Sequence, residues 1–300
     1  MEREVGEDEI AFDLNRLLDR EKKLAKYTGP DRVLMNAELY EELEKQLSEH
    51  QPVELKSKIP TLDHHIHAFY GGELSVISGP TGNGKTLFAQ TLTSAFCRQD
   101  KKILWFTYEV GAYDFLKNGF GGIEQMPFFL MPRELKESSL VWVEDRIMEA
   151  KLKHGVDAVF IDHLHYLIDL KKNFNASLEI GRVMRFLKLL AVNENIHIFL
   201  LAHIRKVNTE DEPDNDSLRD SSLVAQESDN IIFIWRMKNT ENESKLKISK
   251  NRRFGVFNKY ANMKKIGRYL RETFDNGREV PTDDEIDGRD YSAGRKDIYD

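Results

Sequence analysis

The chain has 300 residues, 40% of them hydrophobic and 10% aromatic, which suffices for one large packed domain with an arm or for two modest domains. Its 44 basic and 51 acidic residues leave a formal charge of −7, which excludes a uniformly basic nucleic-acid coat but not a local basic channel. A single cysteine, Cys97, excludes an intrachain disulfide framework and a cysteine-built zinc site, and it reads as a small buried apolar residue.

The stretch Met1–Ile10 is acidic and lacks the apolar centre of a secretion signal. No apolar run approaches the roughly 20 residues that span a bilayer, so a soluble, cytoplasmic protein without membrane contact is expected. Residues 8–26 place Ile10, Phe12, Leu14, Leu17, Leu18 and Leu24 at helical spacing, and Tyr27-Thr28-Gly29-Pro30 ends that helix. A second amphipathic helix is expected over Asn36–Glu49, ahead of a linker at Gln51-Pro52. These helices fit either an arm that packs on a neighbouring subunit or a cover for the chain's own core.

From Glu73 onward the pattern alternates short apolar strands with helices. Strands are expected at Leu74–Ser78, Lys102–Tyr108, Asp157–Ile161 and His197–Leu201, with helices over Lys85–Cys97, Leu140–Lys153 and Ser177–Asn193. Further apolar runs lie at Asn230–Trp235 and Leu246–Ser249. Such an order predicts an α/β fold, a twisted and mostly parallel sheet flanked by helices on both faces. The chain divides into a helical arm and linker at 1–52, a main domain at 53–272 and an acidic tail at 273–300 that is expected to be poorly ordered.

Gly79-Pro80-Thr81-Gly82-Asn83-Gly84-Lys85-Thr86 satisfies G-x-x-x-x-G-K-[ST] at every position, between a predicted strand and a predicted helix. Glycines let backbone N–H groups wrap phosphates, Lys85 neutralises the β- and γ-phosphates, and the Thr86 hydroxyl ligates Mg²⁺. The motif therefore predicts ATP and Mg²⁺ as ligands. Asp162 follows a run of buried apolar residues at a parallel strand end, where the second Mg²⁺-side ligand belongs. Glu109 follows the strand Lys102–Tyr108, a position from which a carboxylate can orient and polarise the attacking water. His203 ends the strand after Leu200-Leu201-Ala202 and is placed to sense the γ-phosphate. His163 and His165 read as wall or loop residues of that site, not as zinc ligands.

The order of these motifs resembles the hexameric replicative DNA helicases: bacterial DnaB, the phage helicase-primases and the mitochondrial Twinkle helicase. The resemblance covers roughly residues 55–258. It runs through Ile59–Asp63, Gly71–Leu74, the phosphate loop, Tyr108-Glu109, Ile161-Asp162, Gly181–Lys188 and Ala202–Arg205. It continues through Ser217–Ser222 and Gln226–Asp229 and ends at Lys250–Gly255. It implies a RecA-like motor domain working as a ring, with Lys250 and Arg252 reaching the nucleotide of the adjacent subunit as an arginine finger and its helper. The neighbouring Arg253 leaves the finger ambiguous by one position.

What the resemblance implies is an ATP-dependent helicase or single-strand DNA translocase, a homo-oligomer with a hexameric ring as its expected form, with primase or other replication proteins as partners. The sequence departs from the family's pattern in lacking the cysteines of a zinc-ribbon primase region, and its N-terminal 50 residues are expected to be too short for the helical collar. The stretch Glu210–Asp216 is acidic where a loop facing DNA phosphates should be basic. That leaves Lys171, Lys172, Arg205 and Lys206 as candidate nucleic-acid contacts. The acidic balance also keeps open a second class of function, a RecA-like ATPase used as a nucleotide-dependent switch or assembly factor that does not unwind DNA.

Overall fold

The computed structural model describes residues 7–49, 52–120, 127–135, 139–168, 176–203, 212–214, 221–237, 240, 242–274 and 278–280. The candidate nucleic-acid residues Lys171, Lys172, Arg205 and Lys206, and the segment Ser217–Asp220, lie outside these. The chain separates into two compact units, Met1–Gln51 and Pro52–Asp300.

The first unit contains α1 (Glu7–Ala25) and α2 (Asn36–Glu49). The start of α2 is fixed by Glu38, whose carboxylate reaches back to accept from the Met35 N–H at 3.2 Å, the returning half of a capping box. Between the helices Arg32 pairs with Glu42 at 2.5 Å.

The second unit begins with β1 (Glu54–Leu55), α3 (Pro60–Ile66) and β2 (Phe69–Tyr70). It continues with β3 (Leu74–Gly79), α4 (Lys85–Cys97), β4 (Ile103–Thr107), α5 (Ala112–Phe120), α6 (Leu140–His154), β5 (Ala158–Asp162), α7 (Ala176–Glu194), β6 (His197–His203) and α8 (Ser221–Glu227). It closes with β7 (Asn230–Arg236), β8 (Glu243–Asn251), β9 (Lys259–Ile266) and β10 (Tyr269–Thr273). Eight strands form one sheet in the order β10-β9-β8-β7-β3-β6-β5-β4. Strands β7, β3, β6, β5 and β4 run parallel, and β8, β9 and β10 add an antiparallel wing.

The parallel strands are apolar at nearly every position because both of their faces are covered. Alternate residues divide between two cores. Ile77, Trp105, Phe160, Phe199 and Ile232 face α4, while Val76, Phe106, Val159, Leu200 and Phe233 lie in the core built with α6 and α7. Trp105, Phe160 and Phe199 are cross-strand neighbours and stack face to face, 4.8 and 4.4 Å apart. Helix α6 starts where the Ser139 hydroxyl accepts from the Trp142 N–H at 3.3 Å and stops at Gly155, which sits in the left-handed region.

The strands β9 and β10 lie outside the apolar runs. In β9 only Ala261 and Met263 are buried, the inward positions of a strand with one wet face. The expected tail from 273 is partly folded at its start: Phe274 N–H donates to Arg278 O, and Val280 N–H donates to Glu272 O with the valine side chain buried. None of the described helices is long and apolar enough to cross a membrane.

At the end of the sheet where β3 starts, His197 is fully buried. Its Nδ1 lies 2.7 Å from Tyr70 O and its Nε2 lies 2.8 Å from Ser75 Oγ. Burial depresses its pKa from 6.5 to about 3, so the ring is neutral in the folded chain. The unfolded chain binds this proton at higher pH than the folded one. The stability the neutral ring contributes is therefore complete above pH 6.5 and is lost as pH falls toward 3. By pH 5 the loss is expected to be about 2 kcal/mol. Denaturant titrations of the chain and of His197→Asn at pH 7.5 and 5.0 check this: the substitution should flatten the pH dependence by that amount. An unchanged pH dependence would remove His197 from the account.

Candidate active site

The phosphate loop joins β3 to α4 at the carboxyl end of the parallel strands, where side chains from four adjacent strands converge. Gly79 has no room for a side chain, since a Cβ there would lie 2.0 Å from Ile234 O on β7. Gly84 opens α4 with φ of 96°, a left-handed conformation that costs glycine little. Asn83 holds the loop from the other side, accepting from the Arg236 N–H at 2.9 Å and donating to Thr81 O at 3.0 Å.

Lys85 is buried at the first turn of α4, and its ammonium donates to Gly79 O and Pro80 O at 2.9 and 3.0 Å. Burial lowers its pKa, while Asp162 and Glu109 pull it back up. The Thr86 hydroxyl donates to Asp162 Oδ2 at 2.9 Å, so the two oxygens expected on the Mg²⁺ side are already paired between the start of α4 and the end of β5. Asp162 is pushed up to about 6, chiefly by burial, with Glu109 adding to the rise and Thr86 and Lys85 opposing it. A buried carboxylate beside a half-buried hydroxyl suits a hard divalent cation, which would offset that desolvation.

Glu109 and His203 meet at the same end of the sheet. His203 Nε2 lies 3.9 Å from Glu109 Oε2, and His203 Nδ1 lies 3.4 Å from Thr81 Oγ1 in the phosphate loop. Burial lowers His203 to about 4, with Lys85 contributing, so the ring is neutral near pH 7. His163 belongs to this group more closely than a wall residue would. Its Nδ1 is 3.2 Å from Glu109 Oε2, and its ring packs edge-on against His203 with centroids 4.3 Å apart. Its position directly after Asp162 was the sequence signal for that contact.

Lys250 and Arg252 lie at the opposite end of the sheet. Lys250 and Asn251 of β8 register with Ile231 and Asn230 of β7, which register with Val76 and Ser75 near the start of β3. From Ser75 to the phosphate loop at Gly79 is four strand residues, about 13 Å. Lys250 Nζ donates to Ala225 O at 2.5 Å and to Ser228 O at 2.8 Å, a cation at the carboxyl end of α8. Arg252 donates to Asp229 Oδ1 at 3.2 Å and to Gln226 O. Asp229 also accepts from the Leu74 N–H at 2.8 Å and from Lys188 Nζ at 2.6 Å. Gln226–Asp229 thus holds the basic turn, with Lys188 on the far side of Asp229, contacts that spacing could not assign. Arg253 is engaged elsewhere: it pairs with Glu73 at 2.6 Å and lies over the Tyr70 ring at 4.1 Å.

Of the acidic segment, residues 212–214 are described. Glu212 Oε1 accepts from Lys247 Nζ and from Tyr260 OH, each at 2.6 Å, and these contacts hold its carboxyl below the usual range. At that residue the negative charge is spent on the antiparallel wing.

Comparison with known proteins bears on the fold and the family. Residues 113–261 match the family model of the DnaB-like helicase C terminal domain. The replicative DNA helicase DnaB of Rickettsia prowazekii is 22% identical over 217 residues, covering 58% of this chain and 44% of that protein. A probable plasmid replicative DNA helicase of Chlamydia psittaci is 33% identical over 130 residues, covering 41% of this chain and 28% of that one. The chain therefore spans less than half the length of these relatives. Among solved structures, an ATPase domain superposes with a TM-score of 0.65 at 19% identity, over 80% of this chain and 98% of that one. A DnaB-like replicative helicase studied for its interactions with primase gives 0.63 at 18% identity, over 86% and 70%. The fold is the RecA-like ATPase fold, and residues 113–261 are similar to the DnaB-like helicase C-terminal domain.

Proposed function

We propose that this chain is the ATP-hydrolysing motor of a ring-shaped DNA helicase or single-strand DNA translocase, with each nucleotide held between two subunits. The observation that carries the reading is the separation of the catalytic groups. Lys85, Thr86, Glu109, Asp162 and His203 gather at the carboxyl end of the parallel strands, whereas Lys250 and Arg252 are held at the other end of β3. An arginine so placed cannot serve its own phosphate loop and is available to a neighbour's. A cyclic ring of identical subunits supplies that neighbour to every site.

The geometry supports the following roles. Backbone N–H groups of Thr81–Gly84 and the Lys85 ammonium cradle the β- and γ-phosphates of ATP. Thr86 and Asp162 would hold Mg²⁺, which when bound neutralises phosphate charge and orients the leaving group. Glu109 orients the attacking water and accepts its proton, with His163 fixing the carboxylate. His203 hydrogen-bonds the γ-phosphate and, through Glu109 and Thr81, reports its presence. Arg252 supplies positive charge to the transition state of the adjacent site, and Lys250 steadies the turn. A ring of six, contact with primase and residence in the cytoplasm complete the proposal.

Steady-state ATP hydrolysis with and without single-stranded DNA tests it. Stimulation of roughly tenfold or more at low salt, weakening as salt displaces phosphate contacts, is expected of a translocase. The formal charge of −7 favours the second reading, a nucleotide-dependent switch or assembly factor. Robust turnover that ignores DNA at every salt concentration would overturn the translocase in its favour.

A further inference from the structure

The carboxyl ends of three adjacent strands, β4, β5 and β6, deliver a second kind of ligand set beside the Mg²⁺-type oxygens. Glu109 follows β4, His163 follows β5 and His203 ends β6. One ligand atom from each of these three residues lies within 4.8 Å of the others. His163 Nδ1 and His203 Nε2 lie 3.2 and 3.9 Å from the same oxygen, Glu109 Oε2. Two donors on a tetrahedral ion with bonds near 2.0–2.1 Å stand about 3.3 Å apart, so small side-chain shifts would bring all three onto one centre.

We propose that Glu109, His163 and His203 form a binding site for a first-row transition-metal ion of the Zn²⁺ class, distinct from the Mg²⁺ ligands Thr86 and Asp162. Ligand chemistry separates the two sites. Two imidazole nitrogens and one carboxylate suit Zn²⁺ or Co²⁺, whereas the hydroxyl–carboxylate pair of Thr86 and Asp162 suits Mg²⁺. Three protein ligands leave a fourth position for water. An ion bound there takes the carboxylate that the hydrolytic reading assigns to the attacking water, and it takes the γ-phosphate sensor as well. The ion is therefore an inhibitor of turnover. Binding itself does not depend on that reading; the inhibition does.

The test uses the untagged, nucleotide-free chain titrated with Co²⁺. One equivalent is expected to give the intense visible absorption of a four-coordinate site, and Zn²⁺ is expected to bleach it. His163→Phe and His203→Gln, each with the circular dichroism and unfolding midpoint of the parent, are expected to weaken binding by at least about 100-fold, since even outer-shell changes cost 10- to 100-fold. His65→Ala, in the separate histidine group of α3, is the comparison. Absent bands, or bands that survive His163→Phe and vanish in His65→Ala, would overturn the site. Stoichiometric Co²⁺ binding that leaves ATP hydrolysis untouched would uphold the site and instead remove Glu109 from the hydrolytic role.

Discussion

Glu109→Gln is expected to lower ATP turnover by about 100- to 10,000-fold while leaving ATP affinity within roughly threefold of the parent. The substitution preserves shape and removes the base. A neutral His163 can still donate from Nδ1 to the amide oxygen that replaces Oε2, across the 3.2 Å contact seen here, so the side chain stays placed. What disappears is the negative charge that attracts the proton of the attacking water. The phosphate loop keeps its own contacts, because Lys85 is held by Gly79 O and Pro80 O and not by Glu109. The loss therefore falls on kcat, about 3–5 kcal/mol of transition-state stabilisation, and not on ground-state binding. Single-turnover hydrolysis alongside equilibrium binding of a fluorescent ATP analogue separates the two. Normal turnover would exclude Glu109 as the base; lost binding would show that it shapes the nucleotide pocket instead.

The parts of this site that could be read from the sequence are those built by local chain geometry. A phosphate loop is eight consecutive residues, and its strand and helix follow from apolar runs that are buried on both faces, as in Leu74–Gly79 and Lys85–Cys97. Asp162, Glu109 and His203 could be placed because each stands at the end of such a run. The antiparallel wing was less visible. Lys259–Ile266 buries only alternate residues, and its charged positions Lys264 and Lys265 look like loop. Long-range pairing was not visible at all. No spacing rule links Asp229 to Leu74, Lys188 and Arg252, which lie far apart in the chain and meet only because β7 lies beside β3 and α7 covers that end of the sheet. Nor could spacing show that Arg252 and Arg253 take different partners, Asp229 for one and Glu73 with Tyr70 for the other.

That difference in partners sets the second large effect. Arg252→Ala is expected to reduce turnover by about a thousandfold or more, the scale of removing a transition-state arginine, without loss of ATP binding or of the fold. The guanidinium is half exposed and is held by Asp229 and the Gln226 carbonyl; without it Asp229 keeps the Leu74 N–H and the Lys188 ammonium, so its removal opens no cavity and leaves that carboxylate partnered. Arg253→Ala should behave in the opposite way: it unpairs the buried Glu73 and uncovers Tyr70, so it lowers the unfolding midpoint more than it lowers turnover. Placement at the far end of β3 adds a sharper expectation. Arg252→Ala and Lys85→Ala chains are each inactive alone, for different reasons. Mixed into shared rings, an Arg252→Ala subunit offers an intact phosphate loop and a Lys85→Ala neighbour offers an intact arginine. Random mixing in equal amounts makes about a quarter of the interfaces complete, and DNA-free hydrolysis should recover accordingly. Recovery would establish that the arginine acts across a subunit boundary. Mixed rings that form and stay inactive would confine Arg252 to its own chain, where Asp229 and the end of α8 would be its only role.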